Sequence, residues 1–171
     1  QNKALEECIR CGLLCNDAKL VHKEGRPAVE GDPTEGALLV SAEKIGLNGK
    51  TERETFPRLD ELPFESEWQY MSTLHKDDDN YQVYMKGAVE KVLECCSGAM
   101  LPSGESGSLD VDAVIAAQSE MASRGLRILA FAGKKMAAGS GLVREDACMG
   151  MDFLGLQGMI DPPRQEAASA V

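Results

Sequence analysis

Residues 70–86 carry the pattern that most restricts how this chain can fold. Two extended stretches, Tyr70–Lys76 and Tyr81–Lys86, flank the polar run Asp77-Asp78-Asp79-Asn80. Extended segments on either side of a short turn-forming run are typical of a β-hairpin, and the second stretch alternates apolar and polar side chains. The sequence therefore predicts a hairpin near the middle of the chain, with the acidic run as its solvated tip.

Helices are predicted on both sides of this hairpin. The clearest helix start combines Asp32 as N-cap, Pro33 at the first helical position and Glu35 three residues after the cap, a capping box. The predicted helices cover 3–15, 33–45, a short stretch after Gly87, and Val111–Ser123. The other predicted strands are Arg58–Pro63, Leu126–Ala132 and Met151–Ile160, and the segments expected to be irregular are 17–31, 48–57, 97–109 and 133–150. This order predicts an α/β (α+β) fold with a mostly antiparallel sheet and helices packed on it.

Charge and hydropathy exclude several classes of partner. The chain has 18 Lys and Arg against 28 Asp and Glu, a formal net charge of −10. Nucleic-acid phosphates and anionic membrane surfaces both require a basic face, so neither is an expected partner. No run approaches the roughly 20 apolar residues that span a bilayer. The first residues form no signal peptide and include no initiator Met, which favours a fragment of a longer protein.

Six cysteines are expected to be reduced thiols. Three of them, Cys8, Cys11 and Cys15, lie on the first predicted helix, and Cys95 and Cys96 are adjacent. A chain of 171 residues can bury a core without disulfides, so this crowding favours a reducing, cytosolic compartment.

The metal-binding possibilities are weak. One Cys8-x-x-Cys11 pair with a further cysteine and His22 resembles half of a zinc site, whereas strong zinc signals contain two such pairs. We therefore expect small buried thiols and no metal site. The run from Asp77 fails the EF-hand pattern, which needs Gly at its sixth position. His22 and His75 are both expected at the surface or in turns.

No familiar catalytic signature is present. The sequence has no G-x-x-x-x-G-K-[ST] phosphate loop, no G-x-G-x-x-G fingerprint, no G-x-S-x-G elbow and no H-E-x-x-H. No catalytic residue is therefore assigned within this chain.

Six separated segments, taken together and in this order, resemble the nucleotide-binding domain of P-type cation-transporting ATPases of the calcium- and sodium-pump-like branch. They are Cys15-Asn16-Asp17-Ala18, Gly31–Leu38, Pro63-Phe64-Glu65-Ser66-Glu67, Met85–Glu90, Gly125–Ala130 and Gly158-Met159-Ile160-Asp161-Pro162-Pro163-Arg164. The resemblance covers about residues 3–165. It implies that family's fold, with a nucleotide-binding domain over 1–157 and, over 158–171, a hinge and the start of a phosphorylation domain.

The same resemblance implies the ligand, the partners and the cellular location of the domain. Its ligand would be ATP, which the full-length enzyme would use with Mg²⁺. Its partners would be the phosphorylation and actuator domains of the same parent chain. It would be a cytoplasmic domain of an integral membrane protein, without membrane contact of its own. The family's Asp-Lys-Thr-Gly-Thr segment, which carries the phosphorylated aspartate, does not occur here. The parent would be an ATP-driven pump, and this piece would bind ATP without turnover.

Site residues follow from the matched motifs. Phe64 matches the family's phenylalanine that stacks on adenine. Lys86 and Gly87 match the pair that lines the deep end of the adenine pocket, and Arg127 matches the arginine that reaches the phosphate side of the nucleotide. Glu35 matches a glutamate near the adenine amine, although it could equally serve the capping box alone.

Two further positions depart from the family. Many relatives carry a lysine where Gln69 stands here, and some an arginine at Ser66, so both sites lose positive charge. We expect weaker phosphate binding and a dissociation constant for ATP on the order of 0.1–1 mM or weaker. The hinge residues would be Asp161, Pro162 and Pro163, and the two prolines would limit the conformations of the hinge.

Two other functions remain open at this point. A regulatory or interaction module of the same fold would bind nucleotide negligibly, in keeping with Gln69 and the net charge of −10. A thiol-based metal or redox module would instead depend on Cys8, Cys11 and Cys15.

Overall fold

The computed structural model of the protein describes residues 2–23 and 26–160. Its helices are α1 Lys3–Leu14, α2 Pro33–Lys44, α3 Gly49–Thr55, α4 Val89–Glu94, α5 Val111–Ser123 and α6 Arg144–Ala147. Its strands are β1 Lys19–Lys23, β2 Arg26–Glu30, β3 Arg58–Leu62, β4 Tyr70–Asp77, β5 Asn80–Gly87, β6 Cys96–Met100, β7 Ser106–Gly107, β8 Leu126–Ala137 and β9 Met151–Ile160.

Seven of the strands form one sheet in the order β3-β4-β5-β8-β9-β6-β7. Its neighbouring strands are antiparallel except for β6 and β9, which are parallel. The predicted hairpin supplies its second and third strands: Tyr70 pairs with Gly87 and Asp77 with Asn80, which leaves Asp78 and Asp79 as the exposed tip. The prediction of a mostly antiparallel sheet in an α/β fold is confirmed.

Hydrophobic side chains pack on both faces of the sheet, because neighbouring residues of a strand point in opposite directions. On one face, Tyr84 and Phe131 pack with buried residues of α1 and α2. On the other, Val83 and Met85 pack with Val89 and other residues of α4. The sheet is thus the middle layer between two groups of helices.

All four segments that were expected to be irregular contain regular secondary structure. Residues 17–31 contain the antiparallel hairpin of β1 and β2, and residues 97–109 contain most of β6 and all of β7. Residues 48–57 contain helix α3, whose N-cap Asn48 accepts hydrogen bonds from the backbone of Lys50 and Thr51. Residues 133–150 contain the end of β8 and all of helix α6, so these four predictions were wrong. The helices predicted at 33–45 and Val111–Ser123 are confirmed to within a residue.

The six cysteines comprise three buried free thiols, one disulfide pair and Cys96, which is a half-buried free thiol. Cys8, Cys11 and Cys15 are buried free thiols, as expected, and their burial raises the pKa of each, that of Cys8 to about 12. The expectation that all six are reduced was wrong, because Cys95 and Cys148 form a disulfide between the end of α4 and the end of α6. Within the described ranges no group of three or more metal-ligating side chains could hold a metal ion.

His75 is also not where the sequence suggested. It is 1% exposed on β4, and its Nδ1–H donates to the carbonyl oxygen of Phe56 at 3.0 Å while Nε2 accepts from Thr73. Burial lowers the pKa of this imidazole to about 4. The side chain of His22 lies outside the described part of the chain.

The structure describes only part of the segment in which the domain boundary and the hinge are predicted. Strand β9 runs through the expected boundary at residue 157 as far as Ile160. The predicted hinge residues Asp161, Pro162 and Pro163 lie outside the described residues, so the hinge and the division at 157/158 stay predictions. None of the helices within residues 2–23 and 26–160 combines the length and the apolar composition that a bilayer-spanning helix requires.

Candidate functional site

A cavity of about 630 Å³ opens between the start of α2, the β3–β4 loop, the end of β5 and the start of β8. It brings together six of the seven residues predicted for the site: Glu35, Phe64, Gln69, Lys86, Gly87 and Arg127. Ser66 lies exposed on the same β3–β4 loop but does not line the cavity. The remaining lining residues are Asp32, Thr34, Met71, Ala88, Ile128 and Leu129.

The α2 side of the cavity is built by a helix N-terminus. The Asp32 carboxylate accepts hydrogen bonds from the backbone N–H groups of Thr34 and Glu35 at 2.8 and 3.2 Å. Partial burial opposes ionisation of Asp32, but these hydrogen bonds and the nearby positive charge of Arg127 outweigh it and lower the pKa of Asp32. The aspartate is therefore ionised at neutral pH and fixes the first turn of α2.

The Glu35 side chain does not complete the predicted capping box. Its carboxylate accepts from the backbone N–H groups of Asp17 and Ala18, both at 3.1 Å, and from the ammonium group of Lys86. Asn16 supports this arrangement, since its amide donates to the Glu35 carbonyl at 2.9 Å. Glu35 thus joins the end of α1, the start of α2 and strand β5 at one point.

Lys86 supplies the buried end of the cavity. It is only 7% exposed, on the sheet face that α1 and α2 cover, and its charge is paired with Glu35. A buried ammonium needs such a partner, because removing it from water without one is costly. A ligand at this end of the cavity therefore meets the Lys86–Glu35 pair and not an unpaired ammonium group.

Gly87 allows two strands to approach closely beside the cavity. A Cβ at this position would lie 2.4 Å from the carbonyl oxygen of Gln69 and 2.7 Å from Cα of Tyr70. The same Gln69 carbonyl accepts from the backbone N–H of Ala88 at 2.9 Å. A larger residue at position 87 would therefore push the end of β5 away from the start of β4.

Phe64 stands at the open side of the cavity. Its ring is 59% exposed, so it is not a core residue, although phenylalanines are usually buried. The apolar side chains of Met71, Ile128 and Leu129 line the cavity together with it. The site therefore combines an apolar wall, one exposed aromatic ring and a paired charge at its buried end, an arrangement typical of small-molecule sites.

A second cavity, of about 750 Å³, lies elsewhere and is lined in part by Glu7, Arg10 and Tyr84. Its main charged groups are engaged with one another: Arg10 pairs with Glu7 and Glu52, and the Tyr84 hydroxyl donates to Glu7. Because these charged groups pair with one another, the lining indicates no class of ligand. We therefore regard the 630 Å³ cavity as the candidate site.

Reasoning from the sequence missed the apolar lining of the site. Ile128 and Leu129 lie next to Arg127, inside the motif that carried the resemblance, and Asn16 lies inside another. The motifs therefore contained the signal. What they do not contain is the direction of each side chain, which depends on the register of β8 against its neighbours.

Comparison with known proteins shows the family of the chain. A family model described as the cytoplasmic N domain of P-type ATPases matches residues 4–166, and the chain belongs to this family. It is 48% identical to the cation-transporting ATPase pma1 of Synechocystis, over 98% of this chain and 18% of the relative. It is 44% identical to the probable cation-transporting ATPase F of Mycobacterium tuberculosis, over 99% of this chain and 19% of the relative.

A more distant relative is named for its ion. The chain is 32% identical to a calcium-transporting ATPase of Bacillus subtilis, over its full length and 20% of that protein. The chain thus spans about a fifth of the length of the curated relatives it matches.

Proposed function

We propose that this domain binds ATP in the 630 Å³ cavity and presents the γ-phosphate to an aspartate on a phosphorylation domain of the parent chain. The observation that carries the proposal is the exposed ring of Phe64 beside a cavity whose buried end holds the Lys86–Glu35 pair. An aromatic ring held at the edge of a cavity is suited to stacking a purine, which contributes about 1–3 kcal/mol.

The other predicted residues have consistent places in this proposal. Glu35 retains lone pairs that can accept a hydrogen bond from the adenine amine, while Gly87 lines the cavity and lets the end of β5 lie close to the start of β4. Arg127 is exposed, so its guanidinium can reach the phosphates from the rim. Gln69, and Ser66 on the adjoining loop, would add hydrogen bonds but no charge.

The parent protein is proposed to be an ATP-driven cation pump, with this domain on the cytoplasmic side of the membrane. ATP would arrive as its Mg²⁺ complex, and the phosphorylation and actuator domains would be its partners within the parent chain. Because the chain contains no Asp-Lys-Thr-Gly-Thr segment, we expect it to bind ATP without hydrolysing it.

The experiment is an NMR titration of the isotopically labelled chain with ATP up to about 10 mM. We expect a dissociation constant on the order of 0.1–1 mM, which is about −4 to −5.5 kcal/mol. The shifts should cluster at Glu35, Phe64, Lys86, Gly87 and Arg127. Ribose triphosphate, which has no base, is the matched ligand control and should bind more weakly because it cannot stack.

One alternative function has its own support. The charge of Lys86 is paired with Glu35, and the residue at position 69 is a neutral glutamine. The site therefore offers little unpaired positive charge to bind a triphosphate. A regulatory module of the same fold with negligible nucleotide binding would show no shifts at 10 mM ATP, and that result would overturn the proposed function.

A further inference from the structure

Arg144 contacts three residues of the segment that carries Phe64. Its Nη2 donates to Oε1 of Glu65 at 2.7 Å. Its guanidinium carbon lies 4.7 Å from the ring centroid of Trp68 and 5.6 Å from that of Tyr70. One side chain about 80 residues further along the chain therefore contacts both ends of the segment that runs from Phe64 to the start of β4.

The segment around Arg144 is itself firmly attached. Leu142 and Ala147 are buried in the hydrophobic cluster on the α4 face of the sheet. Cys148 is bonded to Cys95 at the end of α4, and the Lys134 ammonium donates to the carbonyl oxygens of Asp146 and Met149. Arg144 consequently projects from a short helix that is tied to the core on either side.

The β3–β4 loop, in contrast, is mostly exposed. Phe64, Glu65, Ser66 and Glu67 are exposed, and Trp68 is 39% exposed. Within the loop, the backbone N–H groups of Trp68 and Gln69 both donate to the carbonyl oxygen of Glu65, at 3.1 and 2.7 Å. These bonds give the loop a local turn but do not attach it to the body of the domain.

We propose that Arg144 is a positioning residue for the nucleotide site: its planar guanidinium, held against Trp68 and paired with Glu65, holds the loop so that Phe64 stands beside the cavity. This inference rests on the proposed function, because Phe64 is taken to stack the base. Ordering the ring before ATP arrives lowers the entropic cost of binding. A guanidinium suits this task because it stacks on an aromatic ring and donates in its own plane at the same time.

Contact of the guanidinium with the Trp68 and Tyr70 rings, rather than charge alone, is the essential part of the inference. Arg144 Nη1 is buried and has no hydrogen-bond partner among the described residues. This part of the guanidinium therefore holds the loop through its contact with the rings and not through a hydrogen bond. A lysine could pair with Glu65 but could not stack in the same way. Arg144→Lys should therefore have an intermediate affinity for ATP.

Trp68 makes the test direct, because it is the sole tryptophan of the sequence. Arg144→Gln should increase acrylamide quenching of Trp68 fluorescence and weaken ATP binding roughly threefold to tenfold. Lys50→Gln is the control, since it removes one positive charge from an 85% exposed side chain on α3 that does not line the cavity. It should leave both readouts unchanged.

The outcomes separate this inference from the proposed function. If the wild type binds no ATP, the proposed function fails and the inference with it. If the wild type binds and folded Arg144→Gln binds equally well with unchanged Trp68 quenching, only the inference is overturned. Should Arg144→Gln not fold, Arg144→Lys decides: weaker binding with a more accessible Trp68 supports the inference, and wild-type values for both overturn it.

Discussion

The ammonium group of Lys86 donates to the carboxylate of Glu35, which lies 51 positions earlier in the chain. The contact joins β5 to the first turn of α2 at the buried end of the cavity. The lining then holds two acidic side chains, Asp32 and Glu35, against two basic ones, Lys86 and Arg127. The cavity is thus close to neutral, so most of its affinity for ATP should come from contacts with the base.

Phe64→Ala should weaken ATP binding by about 1–3 kcal/mol, since it removes the ring on which the base would stack. The fold should persist because Phe64 is 59% exposed. NMR titration with ATP measures the effect. Leu59→Ala removes another exposed apolar side chain, on β3 and away from the cavity lining, and should bind ATP as the wild type does. Equal affinities for Phe64→Ala and the wild type would place the base elsewhere.

Gln69→Lys should strengthen ATP binding about twofold to fivefold, because it adds a cation beside a nearly neutral cavity. The gain should shrink as salt is raised, since exposed charges are screened. Gln118→Lys makes the same charge change on α5, outside the cavity lining, and serves as the control. A gain of equal size in the control would mean that net charge, and not position 69, sets the affinity.

Gly87→Ala should lower the free energy of unfolding by about 1–3 kcal/mol and disturb the site, because its Cβ would lie 2.4 Å from the Gln69 carbonyl oxygen. Urea unfolding measures the loss. Gly49→Ala is the matched substitution: no heavy atom lies within 4 Å of its Cβ, and it falls in the first turn of α3. It should be neutral or slightly stabilising, and a similar loss in both variants would contradict the steric argument.

The buried imidazole of His75 should make stability depend on pH. Its pKa is about 4 when folded and about 6.5 when exposed, so the unfolded chain binds the proton more readily between these values. Stability should therefore fall as pH decreases from about 6.5 to about 4, by up to about 3 kcal/mol. Urea unfolding at several pH values measures this slope. His75→Gln, although less stable at pH 7, should have a flatter slope, and an unchanged slope would assign the effect to other groups.

Reduction of the Cys95–Cys148 disulfide should lower the free energy of unfolding by about 2–4 kcal/mol, since the bond closes a loop with a sequence separation of 53. Thermal unfolding with and without dithiothreitol measures the change. The double variant Cys95→Ser/Cys148→Ser should not respond to the reductant, whereas Cys96→Ser should respond as the wild type does. A wild type insensitive to dithiothreitol would argue against the bond.

Elements with strong local signals were predictable from the sequence. The Asp32 cap followed by Pro33 marked α2, and the acidic run between two extended stretches marked the β4–β5 hairpin. Helix α3 was missed because its seven residues bury no side chain, and its attachment comes from distant contacts such as Glu52 with Arg10 on α1. The β1–β2 hairpin was missed because its residues mix polar and apolar side chains without regular alternation.

The sequence by itself determined the family, the β4–β5 hairpin of the sheet and six residues that meet at one cavity. Only the tertiary structure decided that Glu35 pairs with Lys86, that His75 is buried, and that Arg144 contacts Trp68. Caps, turns and strand alternation act between residues a few positions apart, so they can be recognised in the sequence. Contacts between residues 51 or 76 positions apart exist only because the sheet and its covering helices bring those side chains together, and no local pattern encodes that approach.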